Sequence, residues 1–379
     1  MNPVMAGDLG IGEGHPPRIM GVLNISEESP YDPSVFTDAA AAATYIDETL
    51  ISAGADIVDI GLASANKRFD VLSADEEHVR LETAIEAIDR ASGDAVFSIE
   101  TRYASVAETA LDNGFELVND ICGFADPAMP DVCERYDVPA VKMAGPGDLQ
   151  RPGAIEAVDD IFDALVADPL PPQTIIDPAF GGWSEEKDLA ADRETFDRLR
   201  EFAAIDHPLL VSINRKNFLR KPLNRSTDEA LPASLAATAL AVERGADVIR
   251  THDVAETKDA AMIGHTFRET ADMDRGSDIR ILPVRHEREL KRHLDRIGAG
   301  QAAAADGITH VIELSNLDPV DRTLLANIAT DVGARAVIGR ENKPVLLLST
   351  SRALQQLLDR LGTESPTLAE DIAAVLEYS

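Results

Sequence analysis

From Arg18 onward, short runs of β-branched and aliphatic residues alternate with longer Ala-, Leu- and Glu-rich segments whose apolar positions recur at helical spacing. The strand candidates are "RIMGVLNI" (18–25), "DIVDIGL" (56–62), "AVFSIET" (95–101), "ELVNDIC" (116–122), "PAVKMA" (139–144), "TIIDPAF" (174–180), "PLLVSIN" (208–214) and "DVIRTHD" (247–253). Each is followed by a helix candidate. Eight βα units over about 250 residues are the size and repeat number of a closed (β/α)8 TIM barrel, predicted over residues 18–274. An open doubly wound sheet is the alternative, but no Gly-x-Gly-x-x-Gly follows any of these strands. The Gly/Pro-rich start, residues 1–17, reads as a flexible lead-in. After about residue 275 the pattern changes to three further pairs, beginning "IRILPV", "HVIELS" and "PVLLLST". They predict a small α/β appendage over 275–379, assigned to interaction or stability.

The barrel strands end in polar residues: Asn24, Glu100, Asn119, Asp120, Asp177, Asn214 and the Arg250/His252/Asp253 trio. In a barrel these carboxyl ends converge on one face, where active sites are built. Arg250 and His252, two residues apart and so on one side of a strand, suit a phosphate or pyrophosphate; a salt bridge from Arg250 to a neighbouring carboxylate is the plainer reading. Asn24 suits Mg²⁺ or the same anion, or else caps the loop "NISEESP". Glu100, Asn119 and Asp177 offer acceptors and an amide matched to the N–H edge of an amino-pyrimidinone ring, against the bland alternative of helix caps. Lys216, after the seventh strand, suits a ring carbonyl. Arg215 beside it suits an anionic second substrate or stacking over its ring, where the plainer reading is a pair of solvated loop cations.

Composition narrows the class of partner. Hydrophobic residues are 45% and aromatics 4%, as in packed α/β layers. The 35 Lys plus Arg stand against 67 Asp plus Glu, a net charge of −32 spread along the chain, which argues against nucleic acid. Only 8 of the cations are lysines, and distributed acidity with few lysines suits a protein adapted to molar salt. Against that background "RKNFLRKPLNR" (215–225) is the one strongly basic local run. Cys122 and Cys133 fall at a strand end and in a helix, so no disulfide is expected. Without an 18-residue apolar run or signal-peptide pattern, a cytoplasmic protein with no membrane contact is expected. No nucleophile elbow, zinc-spaced Cys/His set or Walker loop occurs, so covalent catalysis is not indicated.

With those residues in place, Arg18 to about Phe267 resembles dihydropteroate synthase, within the wider pterin-binding barrel family. The resemblance rests on "IMGVLNIS", "GADIVDIG", "SIET", "ELVNDICG", "VPAVKM", "IIDPAFG", "INRKNF" and "GADVIRTHDV", in the family's order. It implies that Glu100, Asn119, Asp177 and Lys216 hold a pterin, with Met143 packing near it. It also implies that Asn24, Arg250 and His252 take a diphosphate and its Mg²⁺, with Asn24 the metal ligand, and that Lys216, Asp177 and Arg250 carry catalysis. The implied reaction joins a (7,8-dihydropterin-6-yl)methyl diphosphate to p-aminobenzoate or a related arylamine and releases pyrophosphate, in a homodimer. Where the family has "GESTRPG", this chain has "GLASANKRFD": Ala65-Asn66 replace the Thr-Arg pair, leaving Arg68 to join Arg215 at the arylamine. Trp183 or Phe180 would supply the stacking aromatic. A pterin-dependent corrinoid methyltransferase and a catalytically silent pterin-binding protein are the competing readings.

Overall fold

The computed structural model describes all residues except 1–2, 27, 29–31, 65–68, 151, 154, 182–188, 269–281, 283, 339–342 and 377–379. The chain divides into two compact units, residues 1–270 and 271–379.

The first unit is a (β/α)8 barrel. A two-stranded hairpin, β1 (Val4–Ala6) and β2 (Leu9–Ile11), precedes eight parallel strands. These are β3 (Arg18–Asn24), β4 (Ile57–Gly61), β5 (Val96–Thr101), β6 (Leu117–Asp120), β7 (Ala140–Met143), β8 (Thr174–Asp177), β9 (Leu210–Val211) and β10 (Val248–Thr251). They pair in the order β8-β7-β6-β5-β4-β3-β10-β9, and an isolated bridge between Ile176 and Leu209 brings the two edges together. All eight predicted strands are present. The seventh is the shortest, because only two of the seven residues in "PLLVSIN" hold a ladder.

Strand parity sorts the side chains. Met20, Ile57, Val96, Leu117, Val141, Ile175, Leu210 and Val248, one from each barrel strand, form a single apolar layer inside the barrel. Ile19, Val58, Ile99, Val118, Ile176, Val211 and Ile249, of the opposite parity, belong instead to the larger core outside it, with the helices. Stepping by two from the inner layer toward the carboxyl ends reaches Asp59, Ser98, Glu100, Asn119, Met143, Asp177 and Arg250. The alternation that fills the barrel floor therefore aims the polar residues into its mouth.

The flexible lead-in expected over residues 1–17 is instead this ordered hairpin. Val4, Ala6 and Ile11 are at most 1% exposed and close the inner layer from below. Arg18 Nε donates to the Gly10 carbonyl at 2.8 Å, fixing the hairpin to β3. Its glycines disguise it: Gly7, at φ +55°, makes the turn, while the apolar alternation on either side is only three residues long.

The second unit has a three-stranded antiparallel sheet, β11 (Thr309–Leu314), β12 (Arg335–Ile338) and β13 (Val345–Thr350), in the order β11-β13-β12. Helices Pro319–Asp331, Ser351–Glu364 and Pro366–Leu376 accompany it, and Leu325, Ile328, Leu347, Leu357 and Ile372 are central to its core. Of the expected strand "IRILPV", only Leu282 and Val284 lie within the described residues and neither is in a strand; Pro283 between them cannot donate to a ladder. The strand Arg335–Ile338 was not anticipated, being only four residues long and largely exposed.

Candidate active site

Asp59 is the hub of the mouth. Fully buried on β4, it accepts from Ser98 Oγ (2.7 Å) and Asn119 Nδ2 (2.9 Å), and from Arg250 Nε (2.7 Å). Arg250 reaches on with Nη2 to Glu100 Oε2, 2.5 Å away. Burial disfavours the Arg250 charge, but Glu100 and Asp59 hold the guanidinium more firmly protonated than usual. Burial also pushes the Glu100 carboxyl upward, against the pull of Arg250. The salt-bridge reading of Arg250 is thus the one seen, and the diphosphate role inferred for it would require the guanidinium to share or leave these carboxylates.

Sequence reasoning missed Asp59 because it was confined to strand ends. The signal was available: Asp59 lies two residues before Gly61, in the parity of the polar tips.

The other residues close in from several strands. A methyl group on Gly61 would lie 3.1 Å from Asn24 Oδ1 and 3.7 Å from Glu100 Oε1, so both side chains converge over that glycine. Asn24 Nδ2 donates to Ser34 Oγ at 2.9 Å, so this carboxamide also holds its own loop, as the cap reading had it. A methyl group on Gly181 would come within 2.8 Å of Lys216 Nζ, which places the lysine against the turn after β8. Asp177 Oδ1 shapes that turn by accepting from Ala179 N at 2.7 Å, with Ala179 in the left-handed region at φ +60°. Met143 is buried at the end of β7. Its ladder partner is Asp177.

His252 stands one residue beyond β10. Burial first, then Arg250, lowers its pKa to about 3, so the imidazole is neutral near pH 7. Asp120, a polar tip by its sequence position, is structural: its carboxylate accepts from Cys122 N (2.7 Å) and Phe124 N (3.1 Å), and burial raises it to about 7.

Arg215 is committed elsewhere than the expected arylamine. Its guanidinium makes a two-pronged pair with Asp253, 2.8 Å on each arm, and donates to the Thr227 and Asp228 carbonyls at 2.9 and 3.0 Å. Its backbone is left-handed (φ +53°) and anchored by a bond from Arg215 N to Ser234 Oγ. The residue therefore staples the base of the loop that follows. Phe180 is fully buried, stacked on Phe218 at 5.7 Å, and so serves the wall rather than the pocket. Arg68, Ala65-Asn66 and Trp183 lie outside the described residues. Both cysteines are buried and free. Among the described residues no group of three or more His, Cys, Asp or Glu is arranged to hold a metal, and no helix is long and apolar enough to cross a membrane.

Residues 20–252 match the pterin binding enzyme family. The chain belongs to this family. Within it, the sequence is 32% identical over 254 residues to the dihydropteroate synthase of Clostridium beijerinckii, covering 64% of this chain and 91% of that protein. It is 34% identical over 275 residues to a probable bifunctional folylpolyglutamate synthase/dihydropteroate synthase of Halobacterium salinarum, covering 69% of this chain. The match spans only 33% of that longer relative. The dihydropteroate synthase of Coxiella burnetii, solved with pteroic acid, superposes with a TM-score of 0.58 at 29% identity, over 69% of this chain and 96% of that one. The pterin-binding family match ends at His252, so residues 253–379 lie beyond it.

Proposed function

We propose that this chain is a dihydropteroate synthase-type transferase, joining a (7,8-dihydropterin-6-yl)methyl diphosphate to p-aminobenzoate or a related arylamine with loss of pyrophosphate, in folate or related pterin cofactor biosynthesis. The observation that carries this reading is one mouth that gathers the acceptors Asp59, Glu100, Asn119 and Asp177, with Arg250 paired to the first two, and sets Lys216 against the turn after β8. An amino-pyrimidinone ring presents N–H donors to such acceptors and its carbonyl to a lysine. Asp59 and Arg250 would hold Asn119 and Glu100 in place for the ring, a fixed set of charges that need not reorganise as cationic character builds on the methylene carbon. Neutral His252 can donate one hydrogen bond to the departing diphosphate without adding a charge.

Mg²⁺ fits this site only in company with its substrate. Asn24 Oδ1 faces the mouth while its amide is spent on Ser34, and the remaining ligands would be diphosphate oxygens and water. The metal's contribution would be to offset the charge of the leaving group.

The reading extends to a cytoplasmic, salt-adapted homodimer. Supporting the dimer, helices Leu231–Glu243 and Val254–Phe267 pack so tightly that a methyl on Gly264 would strike the Ala239 carbonyl, and they expose Leu240, Ile263 and Phe267. Supporting salt adaptation is the net charge of −32.

A silent pterin-binding protein is favoured by one feature, the replacement of the family's Thr-Arg pair by Ala65-Asn66. Pyrophosphate release, measured with the pterin diphosphate, Mg²⁺ and a panel of arylamines, separates the two. Calorimetric pterin binding with no release for any arylamine would leave only the binding protein.

A further inference from the structure

In the second unit, strand parity gives the three-stranded sheet two unlike faces. Ile312, Val345 and Leu347 turn one way, into the core shared with the helices Pro319–Asp331 and Ser351–Glu364. Val311, Val337 and Leu346 turn the other way and are exposed, with Leu348 half-buried among them. The open side of an antiparallel sheet ordinarily alternates to polar residues. Here its middle is aliphatic, in a chain with 67 acidic residues.

Register fixes the pattern on that face. Leu346 and Leu348 lie on the central strand β13. Opposite Leu346 stand Glu313 on β11 and Val337 on β12; opposite Leu348 stand Val311 on β11 and Arg335 on β12. The four aliphatic side chains form a band across the middle. The acid and the base occupy diagonal corners, roughly 12 Å apart at ordinary sheet spacings and too far to pair with each other.

We propose that this face binds a second copy of the chain, about a two-fold axis that lies in the contact and crosses the line from Glu313 to Arg335 at right angles. Such an axis sets Glu313 of one copy against Arg335 of the partner subunit and repeats the pair at the opposite corner, while the aliphatic band packs on itself. Charge selects this occupant. Two chains of net charge −32 repel wherever their acidic surfaces meet, and a basic partner is drawn to those acidic surfaces rather than to a neutral patch. A face with one charge of each sign, placed so that each meets its opposite, fits its own copy. The contact uses the second unit alone and does not depend on the transferase reading.

Sedimentation equilibrium of the full chain, over a range of protein concentration at the lowest KCl that keeps it folded, tests this. Leu346→Asp places a carboxylate beside the axis, against its own copy. It is expected to lower the assembled mass at least twofold, whether or not the barrels also associate, and to leave the far-UV circular dichroism unchanged because the position is exposed. E313R and R335E each set like charges together, and each should raise the dissociation constant roughly three- to thirtyfold although they move the net charge in opposite directions. E313R/R335E restores the opposite pairs and should return the dissociation constant to within about threefold of the parent. A parent that is monomeric across the range, or a mass unaltered by Leu346→Asp, overturns the proposal. So does a double variant that associates no more tightly than either single one.

Discussion

Arg250 reaches past the first barrel strand to meet Asp59, Nε to Oδ2 at 2.7 Å, so the eighth strand and the second are joined by an ion pair inside the mouth. Because Asp59 also takes the Asn119 amide, one carboxylate sets the position of two groups that face the pocket. Asp59→Asn preserves shape while removing the charge. The expected cost is about 2 kcal/mol of unfolding free energy, below the 3–5 kcal/mol of an orphaned buried charge because Glu100 still neutralises Arg250. Urea unfolding checks the stability, and pterin affinity should fall with it; an unchanged midpoint would show that the pair contributes nothing.

Lys216 places its ammonium against the turn after β8, 2.8 Å from where a methyl group on Gly181 would lie. Lys216→Ala should weaken pterin binding by roughly ten- to a hundredfold, the loss of one charge-assisted hydrogen bond, with Tm nearly unchanged. Calorimetry measures the first and a thermal melt the second. Pterin affinity equal to that of the parent would remove Lys216 from the site.

Glu77, on the helix Ala74–Arg90 behind β5, is 2% exposed and accepts from Thr101 Oγ1 at 2.5 Å. Burial lifts its pKa from 4.5 to about 7. A carboxyl raised on folding contributes stability that is complete below pH 4.5 and is lost as pH rises through 7. Glu77→Gln, which still accepts the Thr101 proton, should therefore be neutral near pH 4.5 and stabilising at pH 8, by up to about 3 kcal/mol. Melting curves at the two pH values give the comparison, and a gain at low pH instead would refute the burial argument.

The surplus of carboxylates predicts a strong response to salt. With the Debye length falling from about 10 Å at 0.1 M to about 3 Å at 1 M, self-repulsion of the surface is largely screened. Tm should rise by several degrees over that range of KCl. A melting temperature indifferent to KCl would count against salt adaptation.

The sequence alone determined the eight-strand barrel, because its alternation of buried strands and amphipathic helices is local and repeats eight times. It also marked Glu100, Asn119, Asp177, Lys216 and Arg250 as a set, since parallel strands put their ends on one face. Tertiary structure alone decided which of them touch. The Asp59 hub depends on parity carried across four strands, the binding of Arg215 to Asp253 depends on two loops meeting 38 residues apart, and the hairpin under the floor depends on sharing one apolar layer with residues from all eight strands. Periodicity along the chain reports which face a residue occupies, whereas the partner it finds on that face is set by register and closure, which no single stretch of sequence contains.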